Sequence, residues 1–108
     1  MSQKEDLQNV MTRSRRETMR WLLLVTMNVA RPMDVTLPML KGVISATYVD
    51  ATELEIRREL DYLEARELIS TRTDPLGQIR AKLERFGIDV VEYTVDCDPG
   101  ISRPSAGA

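Results

Sequence analysis

The sequence predicts a small, mainly α-helical domain that carries one β-hairpin, in the α+β class. Capping signals precede three segments with helical apolar spacing, and after residue 69 the apolar period changes from 3.6 residues to 2. The chain has 108 residues, enough for one hydrophobic core but hardly for two. We therefore expect one folded domain over residues 14–93, between a flexible N-terminal arm (1–13) and a largely irregular C-terminal tail (94–108).

The first helix is predicted from a capping box. Ser14 and Glu17 stand three residues apart, so the Ser14 hydroxyl can accept from the N–H of Glu17 while the Glu17 carboxylate accepts from that of Ser14. Proline disfavours helical geometry at the residue before it, so Pro32 should end the helix near residue 30.

The second half of this helix is apolar on almost every side, which is more than one buried stripe requires. Two interpretations remain open. The helix is the buried centre of the domain, or one of its faces meets a second copy of the chain. For the homodimer, Trp21 and Leu24 are the candidate contacts.

Two further helices follow. Thr36 is a suitable N-cap with Pro38 in the first turn, and this helix should end near residues 47–48. Asp50 with Glu53 supplies the next start signal, for a helix over residues 51–67. Its buried stripe is Ile56, Leu60 and Leu63. Its outward side is predicted to hold Ala51, Leu54, Arg57, Arg58, Asp61 and Ala65.

The hairpin is predicted over residues 70–83. Asp74-Pro75-Leu76-Gly77 has the residues that a type I turn prefers. The returning strand, residues 78–83, alternates strictly between apolar and polar side chains, as expected of a strand with one face on the core. Residues 84–93 either continue this strand or form a short helix, and the near-helical spacing of Phe86, Val90 and Tyr93 favours the helix.

Composition excludes several kinds of chemistry. The chain has no histidine, the commonest acid–base group and metal ligand, and its single cysteine, Cys97, cannot form an intramolecular disulfide. No nucleophile–base pair, phosphate-binding loop or metal cluster is visible, so we expect no enzymatic activity, cofactor, metal site or small-molecule ligand. The neighbouring Asp96 and Asp98 should raise the thiol pKa of Cys97.

The sequence shows no signal for secretion or for a membrane. The start of the chain lacks the basic and apolar regions of a signal peptide, and the apolar stretch 19–30 is too short to span a bilayer. We therefore expect a cytoplasmic protein.

Several segments of the chain resemble a known family. The order of three helices and a two-stranded hairpin, together with EIRRELDYLEARELI (55–69), resembles the recognition helix and wing of the winged helix-turn-helix family. The strand-to-helix segment of that family is similar to AKLERFG (81–87). Small winged-helix proteins of Mu-like bacteriophages and prophages are similar in the segments DVVEYTV (89–95) and PGISRP (99–104).

The resemblance implies a regulator that binds double-stranded DNA and controls phage genes or transposition. Helix 51–67 would enter the major groove, where Arg57 and Arg58 reach base edges, and hairpin 70–83 would follow the phosphate backbone. Although the formal net charge is −2, basic residues concentrate at the start of the first helix and on the hairpin. The candidate phosphate contacts are Arg13, Arg15, Arg16, Arg72, Arg80 and Lys82.

Two plainer interpretations stand beside this one. The arginines near the first helix also fit a solvated surface, and charged residues on a hairpin also protect its edge from pairing with other strands. The alternative function is a non-catalytic adaptor that binds another protein through the acidic third helix and the apolar first helix.

Overall fold

The computed structural model describes residues 2–106, which form four α-helices and three β-strands. In chain order the elements are α1 (Gln3–Ala30), β1 (Val35–Thr36), α2 (Leu37–Ser45), α3 (Glu53–Ala65), β2 (Ile69–Thr73), β3 (Ile79–Leu83) and α4 (Arg85–Val91). The predicted α+β class, with its hairpin and short final helix, is confirmed.

Helix α1 begins earlier than predicted. Ser2 is its N-cap and accepts a hydrogen bond from the N–H of Glu5, so Ser14 lies inside the helix. The predicted start at Ser14 is wrong, and residues 3–13, predicted as a flexible arm, are helical. This segment contains neither proline nor glycine, and its acidic first turn complements the helix dipole. The predicted end at residue 30 is confirmed.

The caps of α2 and α3 differ in how well the sequence predicts them. The Thr36 hydroxyl accepts from the N–H of Met39, as predicted, although α2 ends at Ser45. The cap of α3 is Thr52 rather than Asp50. The Asp50 carboxylate instead binds a guanidinium of α1, and Ala51, predicted to face outward, is buried in the core.

The three strands form an antiparallel sheet in the order β1-β3-β2. The Gly77 N–H donates to the Asp74 carbonyl at 2.9 Å, which closes the predicted turn between β2 and β3. Strand β1 has only two residues, too few to show periodicity, and is absent from the sequence prediction. It forms because Val35 pairs with Ala81 of β3.

The core lies between α1, α2, α3 and one face of the sheet. Side chains from each element are fully enclosed there, among them Leu23, Leu40, Ile56, Leu60, Leu63, Ile69 and Ala81. The buried stripe predicted for α3 is therefore confirmed. On β3, Ala81 and Leu83 are buried while Lys82 is exposed, as the predicted alternation requires.

The C-terminal segment has no helix or strand within residues 94–106, but it packs on the domain. Ile101 is buried, and the Gly100 carbonyl accepts from the guanidinium of Arg20 at 2.8 Å. The N–H of Ser102 donates to the Glu17 carbonyl at 3.1 Å. The sequence therefore predicts correctly that this segment lacks helices and strands within residues 94–106, but it does not predict these contacts with the domain.

Candidate nucleic-acid interface

A cleft of about 360 Å³ separates α3 from the hairpin. Its lining residues are Arg57, Leu60, Asp61, Thr71, Arg72, Thr73 and Ile79. Two arginines predicted to contact DNA, Arg57 of α3 and Arg72 of β2, thus share one concave surface. Thr73 lies on the hairpin side of the cleft and its hydroxyl can also donate, whereas the Thr71 hydroxyl donates to Glu64.

A carboxylate of α3 holds the hairpin against that helix. Glu64 accepts from both the N–H and the hydroxyl of Thr71, at 2.8 and 2.9 Å. Between Glu64 and Thr71 the chain turns at Glu67, whose φ of 63° lies in the left-handed region where glycine is commoner. The base of the cleft is therefore tied to the helix by side-chain hydrogen bonds as well as by the chain.

The outward side of α3 carries exposed charges of both signs. Arg57 and Arg58 are exposed and take part in no ion pair within residues 2–106. Glu53 and Asp61 stand one turn before and one turn after Arg57, and both are exposed. Leu54 is 59% exposed on the same side. The predicted outward side is confirmed except for Ala51.

The hairpin arginines are paired inside the protein. Asp34, which lies between α1 and β1, accepts from Arg72 at 3.1 Å and from Arg80 at 3.0 Å. Arg80 also donates to Asp74 at 2.9 Å. Hydrogen bonds to Asp74 and Asp34 raise the pKa of Arg80, and although partial burial raises the pKa of Asp34, the two arginines lower it overall. Lys82 is exposed and has no ion-pair partner in the described chain.

Two arginines of α1 bind the acidic residues of α3. Arg15 donates to both carboxylate oxygens of Glu55, at 2.7 and 2.8 Å, and to Asp50 at 2.9 Å. Arg16 donates to Glu59 at 3.2 Å. These residues were predicted to contact phosphates, but the structure uses them to join α1 to α3. Arg13, two residues before Arg15, is exposed and has no ion pair within residues 2–106.

A buried ion pair lies beneath this layer. The Arg20 guanidinium donates to Glu59 at 2.8 Å, and the two side chains are only 8% and 2% exposed. Arg20 also stacks on the ring of Tyr62, 3.5 Å from the ring centroid. The pair is absent from the sequence prediction because its partners are 39 residues apart and no local pattern joins them.

The residues predicted for a homodimer lie in different environments. Leu24 is completely buried in the core of its own chain, so this part of the prediction is wrong. Trp21 is half-buried and meets Tyr93 edge to face, with ring centroids 6.2 Å apart. The apolar second half of α1 is explained mainly by burial against α2, α3, β3 and α4.

The thiol pKa of Cys97 is raised, as predicted, but for a different main reason. Burial has the largest effect, and Asp98 adds to it while Arg103 opposes it. Asp98 itself is bound by Tyr62, by Arg66 and by the N–H of Gly100.

Comparisons with known proteins identify no relative. The chain matches no protein-family model, and neither curated proteins nor solved structures give a significant match. Over residues 2–106, no helix combines the length and the apolar character needed to cross a bilayer.

Proposed function

We propose that the protein is a DNA-binding regulator with a winged helix-turn-helix fold, in which α3 enters the major groove and the β2–β3 hairpin is the wing. The observation that carries the proposal is the shared cleft of Arg57 and Arg72. It puts exposed cations of a helix and of a hairpin side by side, as needed to contact base edges and backbone together. A cytoplasmic location is part of the proposal.

The arrangement of the elements supports this proposal. Helices α2 and α3 are consecutive and in contact, and α3 is followed at once by the hairpin that packs beside it. Leu54, Arg57, Arg58 and Asp61 are exposed along one side of α3, and a helix needs an exposed side to fit the major groove.

Each basic residue then has a separate role. Arg57 and Arg58 reach base edges, because an arginine can donate two hydrogen bonds to guanine. Arg13 and Lys82 contact phosphates, since both are exposed and unpaired in the described chain. Arg15 and Arg16 hold α3 in position from α1. The resemblance to proteins of Mu-like phages extends the proposal to control of phage genes or of transposition.

The test is binding to random-sequence duplex DNA, followed by fluorescence anisotropy over a range of salt concentrations. We expect the wild-type affinity to fall as salt rises, because bound protein displaces counterions. The double variant Arg57→Ala/Arg58→Ala should bind at least about tenfold more weakly. Its control is Arg31→Ala/Arg85→Ala, which removes the same charge outside the cleft and should change affinity by less than about threefold.

A second candidate function is an adaptor that binds another protein. It is favoured by the exposed Leu54 between charged neighbours on α3 and by Asp34, which neutralises arginines that DNA would require. If the wild type does not bind duplex DNA even at low salt, the DNA proposal fails and the adaptor function replaces it. If the wild type binds but the α3 variant and its control behave alike, α3 is not the groove helix.

A further inference from the structure

The N-terminal part of α1 carries an apolar stripe that the rest of the described chain leaves uncovered. Leu7, Val10 and Met11 are 63%, 50% and 69% exposed. Their spacing of three and four residues puts them on one face of the helix. Large apolar side chains that are clustered and exposed mark a surface that meets another molecule more often than isolated ones do.

The start of α1 extends beyond the folded body, because residues 2–14 are all exposed, and the stripe is one face of this extension. At about 100° per residue, its centre is roughly opposite to the buried residues Met19, Leu23 and Met27 of the same helix. Helix α1 therefore has two apolar sides, of which the domain core covers one. No contact with α2, α3 or the sheet requires the second.

The charges beside the stripe complement each other between two copies of the chain. Asp6 and Arg13 are seven residues apart and thus lie along the same flank of the stripe. Both are exposed, and neither takes part in an ion pair within residues 2–106. When two α1 helices lie antiparallel about a two-fold axis near Val10, Asp6 of each copy faces Arg13 of the other.

We propose that a second copy of this chain docks on the stripe and forms an antiparallel α1–α1 dimer. With the axis near Val10, the two helices overlap over about residues 3–17, or four turns. Residues 15–17, at the end of that overlap, already contact α3 and the C-terminal segment of their own copy. The rest of each folded body lies at the opposite end of the helix pair. Trp21 lies on the same face of α1, about three turns beyond Val10 and outside the overlap. The proposal does not depend on DNA binding.

Analytical ultracentrifugation of the free protein tests the dimer. We expect the wild type to convert from monomer to dimer with rising concentration, between about 5 and 500 µM. Leu7→Glu/Met11→Glu should stay monomeric over that range. The control is Val29→Glu, because Val29 is an exposed apolar residue of the same helix outside the overlap, and this variant should dimerise like the wild type.

A charge exchange tests the antiparallel register. Asp6→Arg alone and Arg13→Asp alone each put like charges together twice in the dimer, so each should weaken it by about fivefold or more. The double variant Asp6→Arg/Arg13→Asp should restore it to near the wild-type strength. Circular dichroism checks that each variant keeps its helix content.

Three results would overturn the proposal. If the wild type stays monomeric at every concentration, the chain does not form this dimer. If Leu7→Glu/Met11→Glu dimerises like the wild type, the stripe is not the dimer surface. If the double charge variant dimerises more weakly than both single variants, the helices do not pair in the antiparallel register.

Discussion

Asp34 accepts a hydrogen bond from Arg80 at 3.0 Å across 46 residues of sequence. The same carboxylate accepts from Arg72 on the neighbouring strand, so one partly buried loop residue neutralises two hairpin arginines. An incoming phosphate would compete with Asp34 for both. The strength of any DNA contact made by the hairpin therefore depends on a residue that is not part of the hairpin.

We expect Asp34→Asn to increase affinity for random duplex DNA. The amide keeps the shape of the side chain but removes its charge, so Arg72 loses its ion-pair partner and becomes available to phosphates, while Arg80 keeps its pair with Asp74. The plot of log affinity against log salt should steepen by roughly one for each arginine that gains a phosphate. Asp89→Asn is the control, because it removes one negative charge beside Arg85 on α4. Equal affinities for the wild type and Asp34→Asn would show that the hairpin arginines do not contact DNA.

The buried pair of Arg20 and Glu59 should be essential for stability. In Glu59→Gln the Arg20 guanidinium stays buried without its counter-charge, which typically costs about 3–5 kcal/mol. The measurement is the free energy of unfolding from urea titration. Asp61→Asn changes an exposed carboxylate on the same helix and should cost less than about 0.5 kcal/mol. Similar losses in the two variants would argue against a stabilising role for the pair.

Stability should depend on the ionisation of Asp98. Burial raises the pKa of Asp98, but hydrogen bonds from the N–H of Gly100, from Tyr62 and from Arg66 bring it below its ordinary value. A lowered pKa in the folded state stabilises the protein above the ordinary carboxyl pKa, about 3.9, and this contribution is lost as pH falls through the folded-state value. The wild type should therefore exceed Asp98→Asn in stability at pH 7.

The pH series provides the check on Asp98. Urea unfolding of both proteins from pH 7 to about pH 2 should show the difference between them shrinking below about pH 4. A difference of constant size across this range would mean that the charge of Asp98 does not contribute.

Two glycines should respond in opposite directions to alanine. A Cβ on Gly87 would meet the backbone carbonyl of Leu68, which already accepts from the N–H of Glu84, so Gly87→Ala should cost about 1–3 kcal/mol. Gly42 lies within α2 with no atom near the position of a Cβ. Gly42→Ala should stabilise the protein by about 0.5–1 kcal/mol. Thermal and urea unfolding measure both, and a tolerated Gly87→Ala would contradict the close packing of α4 against Leu68, the residue before β2.

Local signals explain which elements could be predicted from the sequence. The Thr36 cap and the turn from Asp74 to Gly77 depend on residues no more than four positions apart. Their chemistry is therefore complete within a short window. The Ser14 capping box has the same local form, yet it lies inside a helix that starts at Gln3. A capping box does not mark the start of a helix when the residues before it also form helix.

The sequence by itself determined the α+β class, the hairpin, the buried stripe of α3 and the exposure of Arg57 and Arg58. Each follows from spacing and turn chemistry between near neighbours. Only the tertiary structure decided which charges remain free. Arg15 meets Glu55 across 40 residues, and Asp34 meets Arg72 across 38. Such pairs form where packing brings distant segments together, and no local pattern specifies which carboxylate each arginine will reach.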